Sequence, residues 1–277
     1  MKEIIKEITI FFSYPFVQRD IIVGIMITIC AALLGVSLVL KGYSMIGNGL
    51  SNVGFGALAV ATSLNLSHIS LQISIPVVII AAYFLLRINE NSKIPSDSAI
   101  AITSTVFLAI GYIMMYKNGT NIDVCNYMFG NIFTITDKDA VFSIIIGIIV
   151  IILFFLCYYK IFAVTFDEKF AKAVGIKTNY YNMIIASLTA IVVVLGMRMM
   201  GTLLISAIII FPALISMKVC KSYKSVILFS VIISVVCFMI GIIAAHLLDI
   251  PTGSTIVLVN GIILLLMRGS GKRWKEE

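Results

Sequence analysis

The sequence predicts an all-α polytopic membrane protein with about nine transmembrane helices, and three observations carry that expectation. Hydrophobic residues fill 61% of the 277 positions, charged residues only 12%, and mean hydropathy is +1.12. One soluble core cannot enclose that much apolar surface, so the remainder faces lipid. The apolar residues gather into nine runs, and a backbone inside hydrocarbon must bond to itself, which makes each run a helix. The alternation of a membrane β-barrel is missing: residues 143–156 read Ser-Ile-Ile-Ile-Gly-Ile-Ile-Val-Ile-Ile-Leu-Phe-Phe-Leu, a run no two-faced strand carries.

Residues 1–20 set Lys2, Glu3, Lys6 and Glu7 among Ile4, Ile5, Ile8, Ile10, Phe11 and Phe12. That pattern predicts an amphipathic helix lying in the membrane interface and ending near Tyr14-Pro15. Charges interrupt its apolar run and no small-residue cleavage site follows, so it does not read as a signal peptide. The nine spans are expected at 21–40, 53–66, 69–86, 100–116, 140–158, 183–197, 203–217, 226–248 and 255–267, a membrane domain over 21–268 with a cytoplasmic tail at 269–277. Several are shorter than the ~20 residues a perpendicular helix needs; interrupted helices of this kind line paths in transporters.

Basic residues set the orientation. With the C-terminus in the cytoplasm, only Lys2, Lys6, Arg19, Lys117, Lys138 and Arg198 of the 20 lysines and arginines fall outside. The odd number of spans then leaves the N-terminus outside. The net charge of +7 is accounted for by this bias and is no nucleic-acid signal. Cys30, Cys125, Cys157, Cys220 and Cys237 are dispersed without a C-x-x-C pair, so neither a disulfide framework nor a thiolate metal site is expected. Cys125, the one cysteine expected outside, reads as a small apolar filler. The chain has no G-x-x-x-x-G-K-[ST] loop, so any ATP must be used by another chain. It also has no set of nucleophile, base and orienter, so it is not expected to be an enzyme.

Polar residues interrupt the apolar pattern in four places. Residues 41–56 carry Gly42, Gly47, Gly49, Gly54 and Gly56 together with Asn48, Ser51 and Asn52. Asn48 and Asn52, four apart, share a helix face. Small polar residues can glue helices together or wall a translocation pathway; their density here favours the pathway. Residues 117–139 form a long outer loop containing Asp123, Tyr127 and Gly130, which either dips into the outer leaflet, docks a partner, or simply connects. Within 160–180, Asp167 and Glu168 lead, lysines follow and Gly175 closes, specifying a short helix at about 166–175. Phe166, Phe170, Ala173 and Val174 lie on one apolar face, suited to lipid or to a groove on a partner protein. In the fourth place Arg198 marks an outer turn, while Thr202, Ser206 and Pro212 follow along the next span, which Pro212 should kink. Nearby, His246 and Asp249 are three apart and form at best a two-ligand cation site; interfacial solvation is the favoured role, as it is for His68.

These stretches, in this order, resemble the permease subunits of the bacterial zinc, manganese and iron ABC importers. The resemblance runs from Tyr14-Pro15-Phe16 to Pro251-Thr-Gly-Ser-Thr-Ile-Val-Leu-Val. It is strongest at Leu40-Lys-Gly-Tyr-Ser-Met-Ile-Gly, Tyr127-Met-Phe-Gly-Asn-Ile, Phe166-Asp-Glu-Lys-Phe-Ala-Lys-Ala-Val-Gly and Met200-Gly-Thr-Leu-Leu-Ile-Ser-Ala-Ile-Ile-Ile-Phe-Pro-Ala. It implies a type II ABC importer permease similar to that of the vitamin B12 importer, in the bacterial cytoplasmic membrane. The partners it implies are a second permease copy (homodimer or paired permease), two cytoplasmic ATPase subunits and an extracytoplasmic metal-binding protein. ATP is then used by the partner, and this chain binds no cofactor. Phe166, Asp167, Glu168, Phe170, Ala173 and Gly175 look like the coupling helix that seats in the ATPase, and Asn48, Ser51 and Asn52 like the pathway wall.

One departure stands out. The family usually reads Gly-Asp-x-Leu-Ser-His where this chain has Gly47-Asn48-Gly49-Leu50-Ser51-Asn52. Two amides replace the carboxylate and imidazole associated with metal, and neutral carbonyl oxygens are weaker ligands for zinc or manganese. A subgroup with other cargo or weak pore contacts, a paired permease that supplies the ligands, and an altered site would each produce this. The runner-up function, a secondary transporter driven by an ion gradient, would prefer inverted repeats and a carboxylate in mid-membrane; neither is evident. A membrane scaffold would leave residues 41–56 unexplained.

Overall fold

The computed structural model describes residues 2–64, 66, 70–91, 96–117, 130 and 136–269. Twelve helices occupy them: α1 (Lys2–Ser13), α2 (Pro15–Leu40), α3 (Ile46–Ser63), α4 (Ser70–Asn91), α5 (Ser96–Lys117), α6 (Asp137–Leu156), α7 (Tyr158–Phe166), α8 (Glu168–Ala173), α9 (Thr178–Met200), α10 (Thr202–Val219), α11 (Tyr223–Leu248) and α12 (Thr252–Gly269). The outer-loop residues 118–129 and 131–135, His68 and the tail beyond 269 lie outside the described residues.

Length and composition qualify six helices to cross a membrane, α2, α5, α6, α9, α10 and α11, rather than the nine expected. The physical reason is local. Asn48, Ser51, Asn52 and four glycines dilute the 18 residues of α3, while α4 and α12 carry only shorter apolar stretches, Leu71–Leu85 and Thr252–Met267. The segment expected to be a loop with one short helix is instead α7 followed by α8, separated at Asp167, whose φ of −145° and ψ of 96° are extended.

Pro15 at the first helical position starts α2, where its missing N–H costs nothing. α2 then runs through the middle of the bundle against α6, α9, α10 and α11, with Val17, Val23, Ala31 and Val36 fully buried. α6 behaves oppositely: Ile145, Ile149, Ile152, Phe155 and Leu156 are exposed, as a lipid-facing helix requires. α3 and α5 approach closely. A Cβ on Gly56 would lie 2.5 Å from the Phe107 carbonyl oxygen, so the two backbones meet there without side chains between them. α9 reverses into α10 at Gly201, whose φ of +85° suits glycine. Pro212 sits buried inside α10, which continues through it.

Ion pairs tie together two separate clusters of helix ends. Arg19 on α2 meets Asp20 at 2.8 Å and also contacts Asp137 at the start of α6, and Arg198 on α9 pairs with Asp139 at 3.0 Å. The Gly130 backbone packs against Met200 and Gly201 in the same region. In the other cluster Lys41 pairs with Glu168. Each of these pairs joins residues that the distribution of basic charge places on one side of the membrane.

Candidate functional site

The polar stretch of residues 41–56 is mostly helical. Asn48, Ser51 and Asn52 lie in the first two turns of α3, so the helical spacing read from the sequence holds. Asn48 and Asn52 are half-buried and Ser51 is fully buried. The Ser51 hydroxyl donates to the Asn48 carbonyl oxygen at 2.9 Å, which occupies it within its own helix. Asn52 donates its amide N–H to Ser104 Oγ on α5 at 2.7 Å, leaving its carbonyl oxygen outside that bond. Two half-buried amides one turn apart thus stand beside the α3–α5 seam, and one of them helps hold the seam.

The short helix expected on the cytoplasmic side is α8, six residues long. Asp167 caps it, its carboxylate accepting from the Phe170 N–H at 2.9 Å. Gly175, at φ +88°, closes it: the Ile176 N–H reaches the Ala171 carbonyl at 3.0 Å and the Gly175 N–H reaches Lys172 at 3.1 Å, a Schellman ending. Ala171 is the buried contact of α8. Phe166, Phe170 and Val174 are exposed at 58%, 65% and 63%, and Ala173 is exposed beside them. The apolar face expected from the sequence is therefore turned away from the bundle. Phe166, expected inside this helix, ends α7 instead. A recess of about 450 Å³ adjoins it, lined by Lys160, Val174, Ile176, Lys177 and Tyr180 among others. Lys160 Nζ sits 5.3 Å from the Tyr181 ring centroid, and a hydrogen bond with Tyr181 is the main cause raising the Lys160 ammonium above its ordinary pKa.

Glu168, exposed by 46% of its side chain, lies 3.9 Å from Lys41 Nζ, whose own side chain is only 8% exposed. Asn182 on α9 bridges them: its amide N–H donates to Glu168 Oε1 at 3.1 Å and its carbonyl oxygen accepts from Lys41. No local pattern in the sequence announces this triad. Lys41 counted there only toward topology and Asn182 counted for nothing, because their partnership spans 141 residues.

His246 lies in the last turn of α11 and Asp249 just past its end. The imidazole stacks on Phe11 of α1 with centroids 4.0 Å apart. Asp249 ends α11 in the left-handed region at φ 54° and is exposed. Among the described residues no group of three or more His, Cys, Asp or Glu gathers as metal ligands. Asp20 carries no signal in the sequence: it is fully buried near the start of α2, one oxygen held by Arg19 and the other without a hydrogen-bond partner among the described residues.

The ABC 3 transport family matches residues 13–268. The chain is 30% identical to the manganese import system permease protein ScaB of Streptococcus gordonii, over 92% of this chain and 91% of that protein. It is 25% identical to the manganese transport system membrane protein MntC of Listeria monocytogenes, over 92% and 90%. Its fold is similar to that of PsaBC from Streptococcus pneumoniae, solved in complex with Fab, with a TM-score of 0.85, 30% identity and 95% of both chains covered. An inward-facing metal-chelate type ABC transporter, 17% identical, shares the fold at a TM-score of 0.69 over 93% of this chain and 89% of that one.

Proposed function

The chain belongs to the ABC 3 transport family, and on that premise we propose that it is the membrane-spanning permease of an ATP-driven importer for a divalent metal ion. The observation that carries this reading is α8, a capped helix whose apolar face is exposed (Phe170 at 65% and Val174 at 63%) at the same end of the bundle as the start of the polar stretch. A multi-pass protein of the plasma membrane with such a face on a short helix outside the spans suits a separate ATPase subunit that seats α8 in a groove. ATP-driven closure of that partner then moves the permease between two access states. The chain itself binds no cofactor, and an extracytoplasmic metal-binding protein delivers the cargo. A second permease copy completes the pathway, with Asn48, Ser51 and Asn52 on its wall.

Manganese is the first candidate for cargo, ahead of zinc and iron. Amide carbonyl oxygens are hard donors that suit manganese better than zinc, and the named relatives are manganese systems. α3, α4 and α12 also cross in this reading, making nine spans with the N-terminus outside. An ion-gradient transporter is not favoured, because family membership and the α8 face both point to an ATPase partner.

Ala173→Asp tests the reading. It places a desolvated charge in the proposed docking face at a position exposed in the free chain. The variant should insert and fold as the parent does, lose co-purification with the ATPase subunit, and lose manganese uptake. Full-strength ATPase binding by this variant would remove α8 as the docking element.

A further inference from the structure

A lysine whose side chain is 8% exposed is expensive to hold in a protein interior unless its charge is met. Lys41 is met twice, by the Asn182 carbonyl oxygen and by Glu168. Asn182 is itself only 9% exposed and turns its other amide atom to Glu168. The cluster therefore acts as one unit rather than as a surface pair. Its three members stand on α8, in the first turns of α9, and at the capping position just past the end of α2.

The location of Lys41 gives the cluster its direction. Lys41 caps α2, its N–H bonded to the Ser37 carbonyl at 3.2 Å. Gly42 follows at φ +77°, with the Gly42 N–H on Val39 at 3.1 Å and the Tyr43 N–H on Leu38 at 2.9 Å, a Schellman ending that fixes the exit direction. Only residues 41–45 separate α2 from α3, whose first two turns carry Asn48 and Asn52. Leu38, Ile46 and Ile185 are buried around this corner, and the cleft they line with Asn182 offers about 10 Å³, scarcely space for one water. A second strut reaches the same turn of α2. Phe166, immediately before the α8 cap, packs edge-on against Tyr223 at 5.7 Å, and the Tyr223 hydroxyl bonds to the buried Ser37 hydroxyl at 2.8 Å.

We infer that Lys41, Asn182 and Glu168 are positioning residues that convey displacement of α8 to the α2–α3 corner, and so to the Asn48–Asn52 face. The inference rests on the importer reading and deepens it. Phe166, Tyr223 and Ser37 supply a parallel apolar contact to the same turn of α2. A close-packed corner held by a buried charge has few intermediate positions, as a two-state element requires. Neutralising one member leaves α8 attached through Ala171 and the aromatic strut but removes the charged tie.

The test uses the assembled transporter, this chain with its ATPase and metal-binding protein, in liposomes, reading manganese uptake and ATP hydrolysis together. Lys41→Met and Asn182→Asp, which turns a second carboxylate toward Glu168 in place of the bridging amide N–H, should co-purify with the ATPase and hydrolyse ATP within about twofold of the parent. Manganese taken up per ATP should fall about tenfold, within the 5–150-fold range of ordinary allosteric coupling. The double variant should be no worse than the weaker single variant, and Lys41→Arg should keep most of the uptake. Should Lys41→Met not accumulate in the membrane, Asn182→Asp, nearly unchanged in shape, gives the same ratio. Unchanged uptake per ATP in Asn182→Asp overturns the inference, as does loss of ATPase binding in that variant, which would make the cluster a docking pin. A parent that neither binds the ATPase nor takes up manganese overturns the importer reading itself, an outcome distinct from both.

Discussion

At the scale of single residues, the two asparagines are where the proposed pathway is tested. Asn48 and Asn52 sit one turn apart and half-buried, and Asn52 holds Ser104 through its amide N–H. Changing Asn48→Asp and Asn52→His puts a carboxylate and an imidazole on that face. The imidazole can keep one nitrogen on Ser104 and offer the other to a cation, the usual second-sphere arrangement of a metal-bound histidine. Two subunits about an axis would bring up to four such ligands together. The double variant should therefore retain more manganese or zinc than the parent when the purified proteins are exposed to metal and measured by mass spectrometry, and the parent should retain little. Equal, low contents would mean that these residues face no shared pathway; a high content in the parent would place the metal elsewhere. The spacing of the asparagines was legible because it follows local helical period. Lys41, Asn182 and Asp20 were not, because each owes its role to burial or to a distant partner that no local pattern announces.

The helices differ in how much of them the sequence announces. α8 could be read in advance, since acid first and glycine last are instructions written within one turn of its ends. Its separation from α7 could not, because Asp167 takes an extended backbone in order to cap, and a cap looks the same in sequence as a first-turn carboxylate. α3 shows the opposite balance. Its glycines were read as permitting close approach, and at Gly56 this is what they do, against the Phe107 carbonyl. Neither backbone can retreat independently, so Gly56→Ala should destabilise the protein by roughly 1–3 kcal/mol, the usual cost of forced overpacking. Gly261→Ala on α12, where an added methyl meets nothing within 4 Å, is the matched control and should be neutral. Thermal unfolding in detergent compares the two. If both variants melt together with the parent, the α3–α5 seam is looser than its geometry states.

For the molecule as a whole, the ion pairs constrain the number of crossings more tightly than hydropathy does. Lys41 and Glu168 meet at one end, while Arg19, Asp137, Arg198 and Asp139 gather in pairs with the opposite helix ends. Between Lys41 and Asp137 the chain passes through α3, α4 and α5, so an odd number of these must cross: α5 alone, or all three. Hydropathy recognises only α5, because Asn, Ser and Gly residues lower the mean of α3 and the apolar stretch of α4 is short. The nine-span arrangement proposed above takes all three, and Leu64 separates the alternatives. Leu64 ends α3 and is 64% exposed. If α3 crosses, Leu64 lies outside; if α3 and α4 turn back within the membrane, it remains on the cytoplasmic side with Lys41. In a cysteine-free background, Leu64→Cys and Lys138→Cys should react with an impermeant thiol reagent in intact cells, while Asn179→Cys and Ser222→Cys should react only after lysis. Reaction of Lys138→Cys with protection of Leu64→Cys would reduce the count by two. Labelling at Asn179 or Ser222 in intact cells would reverse the orientation and put α8 on the wrong side to meet an ATPase.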